Sequence, residues 1–156
     1  VELAGRTYTF PALPAVDWLS VLMAEDLDLE RMVLELCPGG HVLLFEESLE
    51  LDGLYEVLLD VIEQVSGRKW WIALRFIGVI RANWNVLGAE MFYRGIDPTR
   101  LSLSGWLDAM LVLTLKAMDP KDVTMFVSRL EVSPPGEEIA PEEMEMSADQ
   151  FLSMAG

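Results

Sequence analysis

Apolar residues recur along most of this chain with helical rather than strand spacing. From Pro14 to Ala24, the positions Val16, Leu19, Leu22 and Met23 fall on one side of a 3.6-residue helix, and Pro14 suits a first helical turn. The stretch Leu27 to Leu36 brings Leu29, Met32, Val33 and Leu36 together, and Cys37-Pro38-Gly39-Gly40 stops it. His41 to Leu49 is a shorter apolar run, read as a helix although periodicity at that length also fits a strand. Asp52 to Val65 is plainer. Leu54, Leu58, Val61 and Val65 form an inner stripe, Asp52, Glu56, Asp60 and Glu63 a wet one, and Ser66-Gly67 the end.

Arg68 to Arg94 reads as one long helix, with Trp70, Leu74, Ile77 and Trp84 along one line and Gly95 where a left-handed C-terminal residue is wanted. Trp71, Ile72, Phe76, Val79, Ile80 and Leu87 make it apolar nearly all round, so it is expected at the centre of the fold. A further helix spans Ser104 to Met118, capped by Ser102 or Ser104. Asp119-Pro120 starts another, with Asp as N-cap and Pro at the first position, running to about Glu131.

The two ends of the chain differ from this. Arg6-Thr7-Tyr8-Thr9-Phe10 has the β-branched and aromatic content of a strand, and Ala4-Gly5 ahead of it suits the turn of a short hairpin. After Val132, Ser133-Pro134-Pro135-Gly136 breaks the helix, and Glu137 to Glu145 is acidic and poor in large side chains. Ser147-Ala148-Asp149-Gln150 has capping-box spacing, which would set Phe151, Leu152 and Met154 on a last helical turn. The expected architecture is mainly α: a compact multi-helix domain over 1–132 with a short N-terminal β-hairpin or strand, and an acidic Pro/Glu-rich tail over 133–156.

Composition narrows the function. A 156-residue chain that is 52% hydrophobic is long enough for one core; a domain of this size buries about 70% of its unfolded surface. A mean hydropathy of +0.30 separates it from disordered chains. The net charge of −15 disfavours nucleic acid, whose binding is driven by Lys and Arg releasing counterions. The charge also comes in blocks. Asp17 to Glu63 carries 13 carboxylates against Arg31, whereas Ser66 to Leu101 carries six cations against Glu90 and Asp97. The two blocks are expected to face each other, each exposed pair contributing about 0–1 kcal/mol. Arg75, Arg81, Asp108 and Lys116 interrupt the greasiest stretches before the roughly 20 residues a bilayer requires, so no membrane partner is expected. With Cys37 alone, no intrachain disulfide forms, and the N-terminal residues show no signal-peptide pattern; a reducing cytoplasm fits.

Catalytic chemistry finds few footholds. Cys37-Pro-Gly-Gly-His41 sets the only thiol four residues from the only imidazole, but a structural zinc needs four ligands, and a Cys-His dyad needs an orienting group and an oxyanion hole. A small buried thiol at a helix end beside a partly exposed His is the ordinary reading. The run Glu46, Glu47, Glu50, Asp52, Glu56, Asp60 lacks the alternating ligands and turn glycine of a calcium loop, and a solvated face accounts for it. No phosphate loop, nucleophile elbow or paired-His motif occurs, so no enzyme, metal or cofactor is expected. Trp70, Trp71, Trp84, Phe92, Tyr93 and Trp106, with Met91, Met110, Met118 and Met125, are expected mostly to pack the core, but five tryptophans and nine methionines leave room for some to be exposed, and methionine adapts to varied apolar partners. A binding surface is expected around Trp71, Met91, Phe92 and Tyr93, with Phe151, Leu152 and Met154 of the tail as further partner-binding residues.

The segments Trp84-Asn-Val-Leu-Gly-Ala-Glu-Met-Phe-Tyr-Arg-Gly-Ile-Asp-Pro98, Leu101-Ser-Leu-Ser-Gly-Trp-Leu-Asp-Ala-Met-Leu111, Met118-Asp-Pro-Lys-Asp-Val-Thr-Met-Phe126 and Arg129-Leu-Glu131 resemble the tail assembly chaperones of long-tailed phages infecting actinobacteria. Gly5-Arg-Thr-Tyr-Thr-Phe-Pro11 and Phe151-Leu-Ser-Met-Ala-Gly156 are similar too. The resemblance implies a protein of the host cytoplasm, absent from the mature virion, that binds the long, helical tape measure protein and keeps it soluble while tail tube subunits assemble around it. It implies too that a chain ending at Gly156 is the short product of a gene whose ribosomal frameshift yields an extended form. That form and the tube subunits are then further partners, and self-association is a further possibility. Two other classes remain open from the residues alone: a structural head-tail connector or tail completion protein, and an acidic inhibitor or immunity-type protein that neutralises a basic enzyme through the 17–63 block.

Overall fold

The computed structural model describes residues 2–3, 6–7, 12–24, 36 and 51–135. Among these the chain is mainly helical. Six helices follow in order: α1 (Ala15–Leu22), α2 (Leu51–Ser66), α3 (Trp70–Ala82), α4 (Trp84–Tyr93), α5 (Leu103–Ala117) and α6 (Pro120–Glu131). Ahead of them, β1 (Glu2–Leu3) and β2 (Arg6–Thr7) pair antiparallel, Glu2 opposite Thr7 and Leu3 opposite Arg6, a ladder too short to form a layer of the fold. The helices expected over 27–36 and 41–49 and the acidic tail beyond Pro135 lie outside the described residues, apart from Leu36, which is helical and buried.

Two helices share the centre. α3 packs against α2, α4 and α6, and α5 against α1, α2 and α4. Their buried side chains, Trp71, Ile72, Phe76, Ile77 and Ile80 on α3 with Trp106, Leu107, Met110 and Leu111 on α5, meet Trp18 of α1 and Leu58 and Ile62 of α2 in one core. The inner stripe of α2 includes Leu58 and Val61 as its spacing predicts, joined by Leu59 and Ile62, while Glu56 and Asp60 face water.

The helix expected over 68–94 is two helices. Asn83 (φ −113°, ψ 20°) ends α3 and begins α4. Its side-chain Nδ2 donates to the Val79 carbonyl at 2.8 Å, where its own backbone N–H also bonds at 3.1 Å. Asn side chains compete with the backbone for helix hydrogen bonds in this way. The redirected chain lays Leu87 and Met91 on the α5 side: Leu87 is buried, and the Trp106 indole N–H of α5 donates to Met91 Sδ at 3.3 Å.

Helix ends are satisfied by identifiable groups. Ser102 Oγ accepts from the Gly105 N–H at 3.1 Å and Asp119 accepts from the Lys121 N–H at 3.1 Å, each closing an otherwise orphaned donor. Gly67 and Gly95, at φ 65° and 68°, take the left-handed conformation that reverses the chain after α2 and α4. The N-terminus of α1 uses no side chain. Its Ala15 and Val16 N–H groups bond to Leu101 O (2.7 Å) and Pro98 O (3.1 Å) of the turn before α5. Glu63, in the last turn of α2, reaches the start of α3, where it accepts from Lys69 Nζ (3.1 Å) and the Trp70 N–H (3.3 Å).

The basic block does not simply face the acidic one. Arg75 Nη1 donates to the Arg129, Leu130 and Val132 carbonyls at the C-terminus of α6, and Arg81 Nη1 to the Ala24 carbonyl just past α1. Both guanidiniums sit where helix dipoles and unpaired carbonyls favour a cation. Arg68 pairs with Asp108 of α5 at 2.5 Å, outside the 17–63 block, and ties the α2–α3 turn to α5. Lys69, by contrast, does join the two blocks through its ion pair with Glu63.

Candidate interaction surface

Helix α4 is apolar in sequence and exposed in structure. Of its ten residues only Leu87 is buried, while Trp84 keeps 41% of its surface in water, Val86 69%, Phe92 86% and Tyr93 87%. At 100° per residue, Leu87 and Met91 point one way, and Val86, Ala89 and Tyr93 the other, with Asn85 and Phe92 beside them. Scattered exposed apolar residues are ordinary, but four large ones on ten residues of a single helix make α4 the candidate surface.

Local sequence shapes this face. A Cβ built on Gly88 would lie 3.0 Å from Trp84 Cε2, so the glycine makes room for the indole to lie along the helix. Arg94 Nε pairs with Glu90 at 2.6 Å, neutralising the carboxylate that would otherwise sit beside Tyr93. Beyond Gly95, the turn is held by Asp97, which accepts from the Thr99 N–H (2.9 Å) and hydroxyl (2.7 Å) and pairs with Arg100 at 3.3 Å. The Thr99 hydroxyl first, then its N–H, and with them Arg100, hold the Asp97 carboxyl below its ordinary range. The same turn presents the Pro98 and Leu101 carbonyls to α1, so the end of α4 is fastened to the core.

The expected site residues divide. Phe92 and Tyr93 are on the surface, and Met91 lies partly buried beneath them as the acceptor for Trp106. Trp71 is a correction. It is only 3% exposed, in the face of α3 that joins the core, with its ring 5.6 Å from Trp70 in an edge-on arrangement, and presents nothing to a partner. An all-round apolar helix gives no periodic sign of which tryptophan points inward, and the core claimed this one. Its indole N–H is the one buried side-chain polar atom without a partner among the described residues. Phe151, Leu152 and Met154 lie outside the described residues. Val86, which the sequence did not single out for this surface, is exposed on it, and Trp84, one of the aromatics considered for a groove, is half exposed at its flank.

Cys37 and His41 lie outside the described residues, and no three His, Cys, Asp or Glu residues gather into a metal-binding group among the described ones. No helix among the described residues is long and apolar enough to cross a membrane. Comparison of the chain with protein-family models, curated proteins and solved structures found no match.

Proposed function

We propose that this chain is a tail assembly chaperone, a non-enzymatic holding protein whose α4 face binds an apolar helical client. The observation that carries the reading is the outward exposure of Val86, Phe92 and Tyr93, with half-exposed Trp84 at the flank, on a helix anchored by Leu87 and Met91. A helix laid across such a face buries its own apolar stripe, the recognition mode of groove-binding amphipathic helices. A net charge of −15 keeps a loaded complex soluble and repels nucleic acid. The resemblance to phage tail chaperones supplies the client, a tape measure protein, along with a cytoplasmic place of action and absence from the finished particle.

Co-expression tests this. The soluble fraction of a tape measure protein made with this chain should rise well above that made alone, in a complex that survives molar salt, since apolar contacts are not screened. A complex that dissolves in modest salt points instead to an acidic inhibitor, and detection of the chain in purified particles points to a structural virion protein. Either result removes the chaperone reading.

A further inference from the structure

The outward side of α4 is locally neutral on a chain of net charge −15. Residues 84–101 hold Glu90, Arg94, Asp97 and Arg100, which sum to zero, and each cation is paired with one of these carboxylates. Two copies of the chain repel one another at a distance, yet α4 can meet α4 without opposing unpaired like charges. The area is of the right order as well. Taking about 200 Å² for an aromatic side chain, Phe92 and Tyr93 at 86% and 87% exposure present about 350 Å² between them. A standard interface takes about 800 Å² from each partner. Val86 and the exposed Asn85 and Ala89 extend the surface toward that size. At 100° per residue, Ala89 lies at the middle of this side, with Val86 and Tyr93 to one flank and Asn85 and Phe92 to the other. A side chain as small as alanine at that position lets a second helix approach closely.

We propose that α4 is the interface of a homodimer in which the α4 helices of two copies cross antiparallel at Ala89 about a two-fold axis. Such an interface is isologous, so each contact occurs twice. Val86 of one copy lies beside the partner's Tyr93, on the same flank, and the symmetric contact repeats it. The two Ala89 side chains face each other across the axis. Because the contact is apolar while the copies repel through their net charge, added salt strengthens the pairing. A paired copy has no α4 face left for a client, so self-pairing and client capture compete. The pairing rests on the exposure of α4, as the client reading does, and not on the identity of any client: a chain that stays monomeric yet binds a helical client overturns the pairing alone.

Sedimentation of the full chain over roughly 1–200 μM tests it. The expected result is a monomer–dimer equilibrium with no larger species, since a two-fold contact closes on itself. Its dissociation constant should fall at least about threefold between low salt and about 0.5 M salt. Phe92→Gln/Tyr93→Gln should raise that constant at least about 100-fold. Cross-linking gives an independent reading. In a Cys37→Ser background, Ala89→Cys should oxidise to a covalent dimer in yield at least about tenfold above the control Met125→Cys, a half-exposed position on α6 that only chance encounters join. A chain monomeric at the highest concentration, a dimer that salt dissolves or that Phe92→Gln/Tyr93→Gln leaves intact, or equal disulfide yields from the two positions overturns the proposal.

Discussion

Replacing Phe92 and Tyr93 together by glutamine should leave the fold intact, whereas the same change at Trp71 should cripple it. Phe92 keeps 86% of its surface in water and Tyr93 87%. An aromatic side chain buries about 200 Å² when fully covered. Each of these two therefore buries about 30 Å², worth under about 1 kcal/mol at 25 cal/mol per Å². Glutamine returns a few tenths of that through its better helix propensity. Trp71 is 3% exposed, so truncation there loses nearly the whole transfer term and leaves a cavity, about 3–5 kcal/mol. A glutamine amide in that space adds polar groups that need partners. Urea denaturation followed by far-ultraviolet circular dichroism measures both at unchanged slope. The reasoning fails if Phe92→Gln/Tyr93→Gln loses more than about 2 kcal/mol, or if Trp71→Gln loses less than about 1 kcal/mol.

Three further outcomes are expected. Gly95→Ala should cost about 1–2 kcal/mol from the left-handed backbone alone, since nothing lies within 4 Å of the added Cβ, while Gly67→Ala should cost more because Ser104 Oγ lies 3.3 Å away; thermal melts of the two variants give the order. Arg75→Met keeps the aliphatic stem and removes the donors at the end of α6, and should destabilise by about 1–2 kcal/mol with faster amide exchange confined to the last turn of that helix. Asp97 has a lowered folded-state pKa, so its contribution is complete above the ordinary value of 3.8 and is lost as pH falls through the folded value. Acid titration by NMR should therefore loosen the Ala15 and Val16 amides held by that turn, and Asp97→Asn should blunt this pH dependence.

Much of the helical framework could be read from punctuation. Asp119-Pro120, Ser102, Gly67 and Gly95 each do locally what their chemistry prescribes, and neighbouring structure has no reason to override them. The break at Asn83 escaped because a single polar residue in an apolar run does not disturb helical periodicity; its effect comes from a side-chain bond to Val79 and from the pull of α5 on Leu87 and Met91. Trp71 is buried and Trp84 half exposed, a distinction residue type does not carry. Charge counting pointed to facing blocks, yet Arg75 and Arg81 serve helix carbonyls: a block sum weighs side chains against each other and leaves out the backbone acceptors at helix ends.

The most direct measurement of the central claim is the affinity of a tape measure protein for the full chain and for its Phe92→Gln/Tyr93→Gln variant, in high salt, with the variant shown folded by circular dichroism. Two aromatic residues at the centre of an interface are each expected to contribute about 2 kcal/mol or more, so the account predicts a loss of at least about 100-fold. Equal binding by a folded variant would contradict it and place any client away from α4.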